Sequence, residues 1–144
     1  MNRSMVRQVG VEVGSLSRMD PHSRAEVVEA VGFTLDLVLD CLEAAEIPEA
    51  RHRQRLAAFG YRSGELGLSL TDLLWIVDEC HEQGWRQLAV HFPATSEGLV
   101  AVTEAAALLI RISSEVKDAY WAGHLVWLAD EDRRGLSGVR RRST

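Results

Sequence analysis

From Ser96 to Trp127 the chain carries Leu99, Val102, Ala106, Leu109, Ser113, Val116, Tyr120 and Trp127 at steps of three, four and seven, with no proline among them. Such a stripe is one face of a helix of more than seven turns, roughly 45 to 55 Å long at 1.5 Å per residue. That is more than one small domain covers, so the end of this helix is expected to project or to pack on another chain. The rest of the sequence is written in the same period. Asp20-Pro21 reads as an N-cap with proline at the first helical position, and Ser23 with Glu26 as a second choice of cap. The helix they open carries Val28, Val31, Leu35, Val38 and Leu42 and should stop near Ile47, before Pro48. Pro48 opens a second helix with Leu56, Phe59, Gly60 and Ser63 on one face, whose small residues imply close helix contact. Ser69 with Asp72 caps a third, bearing Leu70, Leu73, Leu74, Val77, Trp85 and Leu88 and ending before Pro93. Ahead of these, Met5, Val9, Leu16 and Met19 stand at near-helical spacing. Gly10 and Gly14 there each weaken a helix by about 1 kcal/mol relative to alanine. The expected architecture is all-α: a single bundle of about five helices, in a globin-like or plain bundle arrangement, with a long C-terminal helix. Residues 1–19 form a frayed segment or short helix, 20–136 the helical domain, and 137–144 a flexible basic tail.

A length of 144 residues suits one domain, and an apolar share of 47% with 26% charged residues argues against disorder. Sixteen Lys+Arg against 21 Asp+Glu leave a net charge of -5, the wrong sign for a domain that neutralises phosphates. Arg140, Arg141 and Arg142 are better read as a solvated tail, so nucleic acid is not expected as a partner of this chain. Cys41 and Cys80 fit no metal or disulfide spacing, and there is no continuous apolar run for a membrane span or signal peptide. A reduced, cytoplasmic protein that does not enter a membrane is expected.

The string Ala58-Phe-Gly-Tyr-Arg-Ser-Gly-Glu-Leu-Gly-Leu-Ser-Leu-Thr-Asp-Leu-Leu74, with Trp85 eleven residues on, resembles the helical N-terminal domain of RsbR-type stress-response co-antagonists. The same domain type stands at the N-terminus of PucR-type transcriptional regulators. Val116-Lys-Asp-Ala-Tyr120 and Leu128-Ala-Asp-Glu-Asp-Arg-Arg134 are similar to its aromatic-bearing last helix. The resemblance covers roughly residues 20 to 136 and implies a signal-input domain of stress or transcription regulation. Two departures stand out. Trp75-Ile76-Val77-Asp78 replaces the small, aromatic and basic residues common after the Leu-Leu pair. The output module that usually follows is absent, so the chain reads either as a stand-alone input domain or as the front of a longer regulator.

Enzyme signatures are missing: there is no HExxH, G-x-S-x-G, P-loop or G-x-G-x-x-G, and no metal set. Adjacent Cys80 and His81 point about 100° apart on a helix, which prevents the hydrogen bond an activated thiolate needs. No catalytic residue and no cofactor is therefore expected. Because the helical sensors of stress regulators are similar to globins, a haem at His81 or His124 is kept as a weaker alternative. A small-molecule effector, if there is one, is expected between Leu74, Val77, His81 and Trp85 of the third helix and Leu109, Ser113, Tyr120 and His124 of the last. Trp121 and Trp127 lie six positions, and so roughly 120°, apart on one helix, and cannot both face one core. One of them is expected to meet a homodimer partner or a ligand groove. The resulting reading is a non-catalytic signal-input domain that transmits through its last helix. A stand-alone interaction or scaffold protein that binds another protein is the rival.

Overall fold

The computed structural model describes residues 18–142, and side chains through 135. Among the described residues there are four helices and no strand: α1 (Pro21–Ala44), α2 (Ala50–Glu65), α3 (Leu70–His91) and α4 (Ser96–Arg142). The all-α expectation holds. The fifth, short helix expected within 1–19 lies almost wholly outside the described residues.

Local chemistry accounts for most helix ends. The Asp20 carboxylate accepts the Ser23 N–H at 2.9 Å and Pro21 opens α1. The sequence places the end of α1 near Ile47, but it closes earlier, at Ala44. Ala45 turns into the left-handed region at φ 54 and its N–H donates to the Leu42 carbonyl, while Glu46 N–H reaches Cys41. This is a Schellman closure with alanine in the seat that glycine usually takes. The next helix uses the same closure in its ordinary form: Gly67 at φ +83 donates to Gly64 and Leu68 to Ser63, and Leu68 is buried behind it. α2 starts at Ala50, two residues after Pro48, with Glu49 as an N-cap that makes no side-chain bond. Ser69 and Asp72 form a reciprocal capping box for α3, which ends at His91 because Phe92, extended ahead of Pro93, cannot continue it. Thr95 Oγ1 accepts the Gly98 N–H at 3.0 Å and starts α4.

At 47 residues α4 is about 70 Å long, against about 36 Å for the 24-residue α1. Its helical backbone runs on through Gly135 to Arg142, where a flexible tail was expected from residue 137. α4 is the spine of the fold. It packs most extensively on α2, then on α3 and α1, while α1 also lies along α3 and touches α2 lightly. The main core joins Leu37, Val38, Leu56, Leu73, Val77, Leu109, Ile112, Val116 and Tyr120. A second cluster under α1 and α3 joins Val27, Val31, Leu35, Leu68, Ile76 and Cys80.

α2 and α4 approach closely, as the small residues of α2 imply. A Cβ on Gly60 would meet the backbone of Tyr120, one on Gly123 the carbonyl oxygen of Ala57, and one on Gly64 the ring of Trp127. The two backbones thus touch where glycine faces carbonyl from each side. Tyr61 extends the contact outward, donating to Asp130 at 2.9 Å and accepting from Arg134 at 3.2 Å.

Candidate functional site

The residues expected to line a site between α3 and α4 divide into three groups. Val77, Leu109 and Tyr120 meet in the main core. His81 and Ser113 face each other across the seam, with Nδ1 and Oγ 2.6 Å apart. Leu74 is half-buried, and Trp85 turns outward at 43% exposure. The reason for the last is Gly84. The buried face of α3 runs Leu73, Ile76, Val77, Cys80 and Gly84, and a Cβ on Gly84 would already press on Leu109 and Val38. The face is turned by about one residue from the one on which the tryptophan would be inside.

His124 lies further along α4, buried to 3% exposure, with its ring centroid 5.7 Å from that of Trp127. Among the described residues its Nδ1 has no hydrogen-bond partner. Between the two histidines the seam is closed to solvent: Val77 is 1% exposed, Leu109 and Val116 0%. Among the described residues no group of three or more His, Cys, Asp or Glu is arranged to hold a metal ion.

The buried polar groups tie helices together. Thr34 donates to the Ala30 carbonyl at 2.7 Å, which leaves its oxygen to accept the Tyr120 hydroxyl, also at 2.7 Å, so α1 is pinned to α4. Burial raises the Tyr120 pKa and keeps the phenol neutral. Cys80 is 0% exposed and desolvation pushes its thiol up to about 12, so it stays protonated in the fold. His81 is engaged with Ser113. Cys80 and His81 therefore do not form a thiolate–imidazole pair, and the Ser113–His81 contact joins α3 to α4.

The surface of α4 differs from that of a solvated helix. Leu99, Ile110, Trp121, Leu125 and Leu128 are 66%, 59%, 42%, 44% and 41% exposed. At 100° per residue these five fall within an arc of about 80°, with Thr103, Ala107 and Ser114 between them and Lys117, paired with Asp78 of α3, at its edge below Leu99. Trp121 and Trp127 part as their spacing requires: Trp121 stands on this outer arc, and Trp127 lies half-buried against Gly64. Of this arc only an outward tryptophan is expected from the sequence, which places Leu99 in the core stripe, where the fold leaves it 66% exposed. Ile110, Trp121, Leu125 and Leu128 form a second apolar set offset from that stripe.

Among the described residues this is a four-helix fold, with Thr34–Tyr120 and His81–Ser113 joining helices through polar contacts and one spine helix apolar on two sides. Residues 2–134 match the family described as the RsbT co-antagonist protein rsbRD N-terminal domain, and the chain belongs to that family. It is thereby a stress-signalling regulatory domain. No curated protein and no solved structure matches the chain significantly. Among the described residues no helix is long and apolar enough to cross a membrane.

Proposed function

We propose that the chain is a non-catalytic signal-input domain that pairs with a second copy of itself along α4 and transmits by shifts of that helix. The observation that carries this reading is the outer arc of α4. Five large apolar side chains on one face, 41% to 66% exposed, are more than scattered surface residues. The same helix holds the core on its other side, so a change in core packing and a change at the arc move one rigid element. The family's description points to RsbT as the protein with which such a domain is concerned, and we infer that signalling by this chain converges on a partner of that kind.

Light scattering on the purified chain tests the pairing. A dimer is expected at about 100 μM, within reach of a micromolar interface. Trp121→Glu with Leu125→Glu should give a monomer of unchanged helicity, since neither side chain belongs to the core. A wild-type monomer at that concentration, or a dimer that survives both charges, overturns the reading.

A further inference from the structure

We propose that the gap between α1, α2 and α3 is a binding site for a small, uncharged apolar molecule of about the size of one aromatic ring. The gap follows from the seam described above. Gly60, Gly64 and Gly123 draw α2 onto α4, and α2 is left standing off α1, which it touches only lightly. What remains is a cavity of about 120 Å³. Its walls include Val27, Val31, Phe59, Leu68, Leu73 and Ile76, with Tyr120 of α4 also bordering it. An apolar cavity of roughly 150 Å³ in another protein stays dry and takes benzene or xenon, so this one is of the right order for the same class of ligand.

The chemistry of the walls selects against charge. The polar groups at the cavity have their donors committed: Ser63 Oγ donates to the Gly60 carbonyl at 2.6 Å, and the Tyr120 hydroxyl to Thr34. At the rim Arg62 grips both oxygens of Glu26, at 2.7 and 3.0 Å, and so ties α2 to α1 beside the opening. An anion would have to displace Glu26 from Arg62 and lie beside Glu29, and a cation would meet Glu29, paired with Arg55 at 3.7 Å, only at the exposed rim and not among the apolar walls. A neutral apolar ligand leaves the Arg62–Glu26 pair in place, needs no counter-charge among the walls, and gains the wall contacts that an empty gap forgoes.

The site is separate from the α3–α4 seam but shares Tyr120 with it, so an occupant borders the spine helix at its crossing with Gly60. A role for the ligand as effector rests on the proposed transmission by α4. Binding itself does not, and the two fail separately: the oligomeric state reads the first, and the cavity methyl groups read the second.

Benzene and xenon are the probes, added to the ¹³C-methyl-labelled chain and followed by NMR. Saturable shifts are expected at the methyls of Val27, Val31, Leu68, Leu73 and Ile76, with little change at Leu125 and Leu128. Ala30→Leu, which puts an isobutyl group into the gap from its α1 wall, should abolish the shifts. Arg62→Ala should keep them and speed exchange. No saturable shift with either probe in the wild type overturns the proposal whatever the variants do. So do shifts centred on the outer arc of α4, or shifts that persist unchanged in a folded Ala30→Leu.

Discussion

Replacing Gly123 by alanine puts a methyl group where the carbonyl oxygen of Ala57 stands. The obstacle is backbone in the middle of α2, so no side-chain rotation clears it, and α2 must move off α4 by on the order of 1 Å. A gap of roughly that size forfeits about a quarter to a half of the dispersion well at each contact it opens. The contacts affected run along the whole seam, where Leu56, Val116, Ala119 and Tyr120 are buried. Overpacking of a close contact costs about 1–3 kcal/mol, and an immovable carbonyl argues for the upper end. Against this, alanine is better than glycine inside a helix by about 1 kcal/mol. The net loss expected is about 2 kcal/mol, or a fall of roughly 8 °C in Tm for a domain of this size. Gly135→Ala on the same helix is the control. It has nothing within 4 Å of its added Cβ, so only the propensity gain remains and stability should rise by about 1 kcal/mol. Urea unfolding of both, with Gly60→Ala and the Gly60→Ala/Gly123→Ala double variant, measures the cycle. The double variant should lose less than the sum, because helices already parted by one methyl have room for the other. If Gly123→Ala lies within about 0.5 kcal/mol of wild type while Gly135→Ala gains, the backbones do not meet at this crossing and the argument fails.

Ala45→Gly should stabilise the chain by about 0.5–1 kcal/mol. The left-handed conformation at φ 54 costs an alanine about 1–2 kcal/mol, part of which glycine returns through its larger unfolded-state entropy; a urea midpoint that falls would refute this. Alkaline pH should destabilise the fold through Cys80 and Tyr120, whose pKa values burial raises above 9.0 and 10.0. The unfolded chain releases these protons first, so their contribution is intact below about pH 9 and fades as pH rises through 9 and beyond. Cys80→Ala with Tyr120→Phe should flatten that slope in pH-dependent urea titrations, and a slope unchanged by both would refute the assignment.

The parts of this fold that were legible from sequence are those whose cause is local. Asp20-Pro21, the Ser69/Asp72 box and Phe92-Pro93 each determine a helix end by the hydrogen bonds and sterics of three or four neighbouring residues, and each stands where it was expected. The small-residue face of α2 was legible too, because a run of Gly60, Ser63 and Gly64 has little use other than close approach. What was not legible depends on partners distant in sequence. Nothing near Ala45 announces a left-handed alanine, and the end of α1 was accordingly placed three residues late. The face of α3 was set by hydrophobicity, which favours an indole inside over a glycine. In the fold, Gly84 takes the interior position, where even a methyl group would press on Leu109 and Val38 and an indole is far too large, and Trp85 is turned outward. The ligand gap has no sequence signal at all, since it is the space left when one helix is drawn toward α4 and away from α1.

These features converge on two consecutive residues of α4. The backbone of Tyr120 receives Gly60, its ring borders the gap and its hydroxyl is held by Thr34 of α1. The next residue, Trp121, stands about 100° around the helix, on the outer arc. On the proposed reading no long chain of contacts is needed to join an occupant of the gap to a partner on the arc, because a rotation of α4 that relieves Tyr120 necessarily turns Trp121. The coupling is therefore reciprocal: whatever pairs along the arc must also change the affinity of the gap. Benzene titrations of wild type and of the Trp121→Glu/Leu125→Glu variant measure this directly. Different affinities for the gap in the two are expected, and identical affinities in a wild-type dimer and a variant monomer would show that the arc and the gap are independent.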